Sequence, residues 1–260
     1  MTILDEIAAK TRERIAEKEK ELPLSEIRSK AEALPISNEF PFEKALRGED
    51  IAFICEVKKA SPSKGVIAED FPFLDIARDY EKAGAAAISC LTEPFWFLGS
   101  DNFLKQIAAE VKIPVLRKDF TVDEYMIYEA KLLGASAVLL ICAILSKEQL
   151  REYLELAHSL GMSALVEAHD ENEIKTAVDT GAEIIGVNNR NLKNFSVDTG
   201  NSAKLRELVP KDKIFVSESG IQTAKDVENL RKIGVNAVLI GETLMRAPDK
   251  TAKLAELKGI

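Results

Sequence analysis

Residues 134–188 read GASAVLLICAILSKEQLREYLELAHSLGMSALVEAHDENEIKTAVDTGAEIIGVN. Three short apolar runs, 137–142, 163–167 and Ile184–Asn188, are separated by two stretches of helical periodicity, 146–160 and 171–180. Each run is bounded by glycine or polar residues and is too short for a helix, so it reads as a buried strand. Gly161 and Gly181 stand between each helix and the next strand, where a helix end calls for a residue at ease with positive φ. Near-continuous apolar strands alternating with helices imply a parallel sheet covered on both faces.

The same unit recurs in both directions. Apolar, β-branched runs occupy 51–58, 86–92 and 114–118 upstream, and 214–219 and 237–241 downstream. Helical patterns cover 123–133 and 223–233, and Gly84, Gly134 and Gly234 close further helices. Strand ends fall at 58, 92, 118, 142, 167, 188, 219 and 241, leaving room for one helix and two loops between neighbours. Eight such units predict an α/β fold, a closed (β/α)8 TIM barrel with an N-terminal helical extension. An open dinucleotide-binding sheet would carry G-x-G-x-x-G in its first turn, and the chain has none. At 260 residues the chain has the length of one such barrel. One domain is therefore expected, with 1–50 as the extension and 51–260 as the barrel. Ile3–Glu21 forms a charged amphipathic helix with Leu4, Ile7, Ala8 and Ile15 on one face, and 39–46 a second, shorter one. The short helix is expected to cap the barrel's N-terminal mouth. The longer helix has two places open to it, that same end or the opposite, active mouth.

Composition removes several function classes. Hydrophobic side chains make up 46% and charged ones 30%, an ordinary globular balance. The formal net charge is −8, from 43 acidic and 35 basic residues, which argues against a nucleic-acid binder. Cys55, Cys90 and Cys142 are odd in number and lie in apolar runs, so they read as small buried hydrophobes in a reducing compartment. His158 and His169 are too few for a histidine-rich metal site. No apolar run approaches the ~20 residues of a membrane span, and the first residues lack a secretory pattern. A cytoplasmic protein is expected.

Chemistry in such a barrel gathers at the C-terminal ends of the strands. Those ends carry Glu56 and Lys58, Lys118 and Asp119, Glu167, Asn188 and Arg190, Ser217 and Ser219. A period of two puts Glu56 and Lys58 on one side of their strand, with Val57 on the other. Solvated ends or rim salt bridges would explain any one of these residues. They do not explain two lysines, two glutamates and an asparagine from four strands meeting at one mouth. Lysine and glutamate in each other's field acquire shifted pKa values, the raw material of acid–base chemistry. Ser217-Glu218-Ser219-Gly220-Ile221 and Leu239-Ile240-Gly241-Glu242-Thr243 each place a glycine just past strand seven or eight, where this fold cradles phosphate. Ala60-Ser61-Pro62-Ser63-Lys64-Gly65 reads as a turn, or as a lid whose Ser61 and Lys64 reach a phosphate.

These residues together resemble the indole-3-glycerol-phosphate synthases of tryptophan biosynthesis, from about residue 4 to residue 250. The segment from Glu56 to Gly65 is similar to the family's E-x-K-x-x-S-P-S-x-G signature. Phe97-Leu98-Gly99-Ser100, Lys118-Asp119-Phe120, Leu165-Val166-Glu167, Asn188-Asn189-Arg190-Asn191-Leu192 and Glu218-Ser219-Gly220-Ile221 follow in the family's order. Lys59 departs from it, standing where many members carry arginine. The resemblance implies a carboxy-lyase with no cofactor or metal. It would convert 1-(2-carboxyphenylamino)-1-deoxyribulose 5-phosphate to indole-3-glycerol phosphate by ring closure, decarboxylation and dehydration.

The resemblance further implies a catalytic set of Glu56, Lys58, Lys118, Glu167, Asn188 and Ser219. Lys118 would protonate the C2′ carbonyl, while Lys58 and Glu56 or Glu167 share the dehydration. Glu167 would also face the positive charge on the anilino nitrogen, Lys58 with Arg190 would hold the carboxylate that is lost, and Asn188 would bind sugar hydroxyls. Ser61, Gly220, Gly241 and Glu242 would surround the phosphate, the last tolerable only if its side chain points away. Phe97, Phe120, Leu139 and Leu192 would form the slot for the aromatic ring, with core packing as the competing role of each. The expected partner is a small sugar phosphate, with no nucleic acid or membrane, and the chain acting as a monomer. The alternatives are a sibling phosphate-binding barrel such as phosphoribosylanthranilate isomerase, or a non-catalytic sugar-phosphate binder. Neither needs Glu56, Lys58, Lys118 and Glu167 together.

Overall fold

Alternation along each strand decides which side chains fill the barrel and which meet the helices. In the computed structural model, which describes residues 2–191 and 195–259, eight parallel strands close into one barrel. They are β1 (Ala52–Val57), β2 (Ala87–Leu91), β3 (Val115–Lys118) and β4 (Ala137–Ile141). β5 (Ser163–Ala168), β6 (Ile184–Asn188), β7 (Ile214–Glu218) and β8 (Ala237–Ile240) complete it. Each strand pairs with its neighbours in sequence, and β1 closes the ring on β8, with Ala52 opposite Ala237 and Cys55 opposite Ile240. Ile54, Leu116, Leu139, Leu165, Ile184, Val216 and Leu239 pack as the barrel interior. The residues between them, among them Phe53, Cys55, Val138, Val166, Val187 and Phe215, pack outward with the helical layer.

All eight expected strands are present, with shifts at the ends. Cys142 does not end β4 but opens a 3-10 turn, Cys142–Ile144, and is half-buried with its Sγ 3.6 Å from the Glu173 carbonyl. It is thus less enclosed than Cys55 and Cys90, which are buried as expected. Burial pushes the Cys55 and Cys142 thiols up to about 12. β7 stops at Glu218 because Ser219 and Gly220 turn into the left-handed region, φ 68° and 83°. The expected turn glycines 84, 134, 161, 181 and 234 all have positive φ.

The extension divides between the two ends of the barrel. The short helix Pro41–Leu46 sends Phe42 and Leu46, both fully buried, into the interior cluster and so plugs the N-terminal end, as expected of it. Helix α1 (Ile3–Glu21) takes the other place left open to it. Its Ile3, Leu4 and Ile7 wall the cavity at the C-terminal mouth. A largely buried ion network fastens it there. Arg14 Nη2 donates to both oxygens of Asp119 at 2.9 Å, and Lys18 bridges Asp101 and Glu129. Those two carboxylates also hold the buried Arg117, at 2.8 and 2.6 Å. Asp119 and Arg117 flank Lys118 in sequence, so α1 braces the strand that carries it. Among the described residues no helix is long and apolar enough to cross a membrane.

Candidate active site

The inward alternation that fills the barrel with aliphatic residues continues at its C-terminal end with charged ones. Past Ile54 come Glu56 and Lys58, past Leu116 Lys118, past Leu165 Glu167, past Ile184 and Gly186 Asn188, and past Val216 Glu218. They line one cavity of about 810 Å³. Taking these ionic groups out of water is costly unless they pair, and here they do. Lys58 Nζ lies 2.5 Å from Glu56 Oε1. Lys118 Nζ lies 3.0 Å from Glu167 Oε2 and 3.3 Å from Glu218 Oε2. Asn188 Nδ2 donates to Glu167 Oε1 at 3.2 Å, and its own Oδ1 accepts from the Arg190 backbone N–H at 3.0 Å.

The electrostatics assign these groups different charge states. Burial alone would deprotonate Lys118, but Glu167, Glu218 and Glu56 override it and hold the ammonium well above its ordinary range. Burial likewise pushes Glu167 up, yet Lys118 and His169 outweigh it, leaving the carboxyl well below its usual range. Glu218 goes the other way. Burial, reinforced by the charge on Glu167 and only partly offset by Lys118, raises it to about 7. The cavity therefore holds a lasting ammonium, a lasting carboxylate and a carboxyl group that titrates near neutrality.

Glu218 is not among the expected site residues, which take Ser219 from this strand, with Ser217 named beside it as a polar strand end. Counting by two from Ile214 through Val216 leads to Glu218, and Gly186 is a second signal. A Cβ at Gly186 would collide with the Glu218 carboxylate, so the neighbouring strand needs glycine there. Ser217 is a correction. It points outward and is buried, accepting a hydrogen bond from Asn189 Nδ2 at 3.1 Å and lying 2.8 Å from Ser202 Oγ. Ser219 does line the cavity, in left-handed backbone, with its carbonyl accepting from Asn189 Nδ2 at 3.1 Å.

The same cavity is lined by Phe97 and Phe120, ring centroids 5.9 Å apart, and by Leu139. Leu139 serves both roles weighed for it, being 2% exposed in the interior cluster and part of the cavity wall. Leu192 lies outside the described residues. The loop carrying Phe97 is held by the buried Glu93, whose carboxylate accepts from the backbone N–H groups of Phe95, Trp96 and Phe97 at 2.8–2.9 Å. Glu93 is not among the expected residues, because its role depends on how its own loop folds back, whereas the α1 wall of Ile3, Leu4 and Ile7 is one of the two places left open to that helix.

Ser61, Gly220, Gly241 and Glu242 come together in the same cavity, as expected. A Cβ at Gly241 would strike the Glu56 carboxylate and lie 2.7 Å from Lys58 Nζ, so only glycine fits beside that pair. The Glu242 side chain does not point away. It sits among Arg246 Nε at 3.1 Å, Lys64 Nζ at 3.5 Å and Arg190 Nη2 at 3.7 Å. Three cations make the carboxylate tolerable, and despite partial burial Arg246 and Lys64 keep its pKa lowered. Arg190, expected beside Lys58, thus faces Glu242. Among the described residues no group of three or more His, Cys, Asp or Glu side chains could hold a metal ion.

Against known proteins, residues 4–257 match the family model described as indole-3-glycerol phosphate synthase. The indole-3-glycerol phosphate synthase of Ruminiclostridium cellulolyticum is 60% identical over 257 residues, covering 99% of both chains. That of Endomicrobium trichonymphae is 60% identical over 258 residues, covering 98% of this chain and 99% of the relative. Among solved structures, a mutant tryptophan synthase α-subunit of Pyrococcus furiosus aligns with a TM-score of 0.62 at 17% identity, over 81% of this chain and 99% of that one. KGPDC from Streptococcus mutans aligns with a TM-score of 0.63 at 9% identity, over 81% and 97%. At such identities the two structures speak for the barrel alone.

Proposed function

The chain belongs to the indole-3-glycerol phosphate synthase family, and from that premise we propose how its residues divide the work of ring closure. The enzyme is a carboxy-lyase of tryptophan biosynthesis. It converts 1-(2-carboxyphenylamino)-1-deoxyribulose 5-phosphate to indole-3-glycerol phosphate, releasing CO2 and water. The observation that supports this division of labour is a single cavity lined by Lys58, Lys118, Glu56, Glu167 and Glu218 together with the aromatic pair Phe97 and Phe120 and the glycines 220 and 241.

The substrate's aromatic ring lies between Phe97 and Phe120, against Leu139 and the α1 residues. Its phosphate lies at the other end, against Ser61, Lys64 and the backbone N–H groups around Gly220 and Gly241. The C2′ carbonyl then falls among the charged groups. Lys118 protonates its oxygen as the ring carbon bearing the carboxylate attacks, forming the new carbon–carbon bond. CO2 leaves, and its bonding pair restores the aromatic ring. Glu218, 3.3 Å from Lys118 and titrating at about 7, returns the proton that Lys118 gave up. The C2′ hydroxyl next departs as water on a proton from Lys58, while the neighbouring Glu56 removes the proton at C1′. Glu167, held as a carboxylate, faces the positive charge on the anilino nitrogen. Asn188 and Ser219 bind the sugar hydroxyls.

One chain supplies every group in this scheme, which supports a monomer. The acidic surplus supports a protein that works without nucleic acid, and three free cysteines fit the reducing cytoplasm. Incubating purified protein with the carboxyphenylamino-deoxyribulose phosphate and following indole fluorescence tests the reading. Product should accumulate with one CO2 per indole, and well-folded protein that forms none would overturn it.

A further inference from the structure

His169 lies two residues beyond Glu167, just past the end of β5, and does not line the cavity. Its ring is clamped between two carboxylates. Nε2 is 3.3 Å from Glu167 Oε1, an ion-pair distance without hydrogen-bond alignment. Nδ1 is 3.0 Å from Glu173 Oε2, and the His169 backbone N–H donates to that same oxygen at 2.8 Å. Glu173 is itself fixed in the first turn of the helix Glu171–Asp179, its N–H donating to the Asp170 cap at 3.0 Å. Asn201 of the helix Gly200–Arg206 donates to the His169 carbonyl at 3.2 Å. A carboxylate facing each ring nitrogen favours the imidazolium, which carries an N–H at both and no lone pair toward either oxygen.

The oxygens of Glu167 are thus assigned. Oε2 faces Lys118, while Oε1 faces His169 and Asn188. We infer that His169 is a positioning residue for the ring-closing reaction, an imidazolium anchored by Glu173 that fixes the rotamer of Glu167 and keeps it a carboxylate from outside the cavity. The inference rests on the reading of Glu167 as the group facing the anilino nitrogen. The groups around the ring are consistent with it. Glu167 faces it from β5 and Glu173 from the first turn of the helix Glu171–Asp179. Lys118 of β3, with Glu218 of β7, stands behind Glu167. Burial would discharge the ring, but Glu167 and Glu173 hold it protonated up to about 10. The second positive charge also has a use. When Lys118 gives up its proton, Glu167 loses the charge that pairs with Oε2, and His169 remains.

The test compares pH–rate profiles of wild type, His169→Gln, Glu173→Gln and Glu167→Gln. His169→Gln should lower kcat about tenfold with KM within about twofold and move the acid limb of kcat up by about one pH unit. Glu173→Gln should move the limb in the same direction by less. An acid limb unmoved in His169→Gln, with Glu167→Gln inactive, would overturn the inference and spare the reading of Glu167. A Glu167→Gln enzyme with wild-type turnover would overturn both. A direct titration of the wild type needs no variant to fold. With His158 the only other histidine, an NMR titration should find the His169 ring protonated beyond pH 9 or so, and a ring titrating near the ordinary ~6.5 would overturn the inference.

Discussion

At the scale of single residues, the site works because similar groups are driven to different charge states. Glu167 and Glu218 both lie within 3.3 Å of Lys118, yet one is pushed down and the other up to about 7. The difference is one of partners. Glu167 has Lys118, Asn188 and His169, whereas among the described residues Glu218 pairs with Lys118 alone and its Oε1 has no hydrogen-bond partner. This carries a stability signature. A carboxyl whose folded pKa lies above its unfolded value binds more protons folded than unfolded, so its contribution falls as pH rises from about 4.5 to about 7. Glu218→Gln removes that penalty. The variant should be more stable than wild type at pH 8, by on the order of 1–3 kcal/mol, and closer to it at pH 4.5. It should also lose the limb near pH 7 in kcat/KM. Denaturant melts at the two pH values check the first expectation, and equal stabilities at pH 8 would contradict it.

At the scale of elements, α1 and the β3 end form one unit. Asp119 is fully buried and accepts from Arg14, from Thr92 Oγ at 2.6 Å and from the Phe120 N–H at 2.8 Å. Removing Arg14 would leave that carboxylate short of its main partner. Arg14→Ala should therefore cost about 3–5 kcal/mol, and KM should rise as the wall of Ile3, Leu4 and Ile7 loosens. A variant as stable as wild type with unchanged KM would show that α1 does not brace the site. The strands and the polar residues at their ends were legible in the sequence because period two and the turn glycines are local signals. The side taken by α1 was not. Its apolar face fits either end of the barrel, and the choice depends on Asp101, Asp119 and Glu129, far away in the chain. Glu218 was legible in principle by counting inward positions from Ile214. His169 needed the turn into the helix Glu171–Asp179, which brings Glu173 to its far side.

At the scale of the whole molecule, the barrel separates stability from chemistry along its axis. The N-terminal end is closed by Phe42 and Leu46, packed in the hydrophobic interior cluster, and the C-terminal end is given over to paired charges. Phe42→Ala should destabilise the fold by about 3–5 kcal/mol through the cavity it leaves, with kcat within about twofold of wild type while the protein remains folded. A large loss of kcat in folded protein would mean that the two ends are coupled. The central claim is that Lys118, held charged by Glu167 and Glu218, is the acid that opens the reaction. Turnover of Lys118→Ala, followed by indole fluorescence beside calorimetric binding of a substrate analogue with a reduced C2′ carbonyl, tests it most directly. The account predicts a fall in kcat of about 10²–10⁴-fold with analogue affinity nearly kept. A kcat near that of wild type would contradict it.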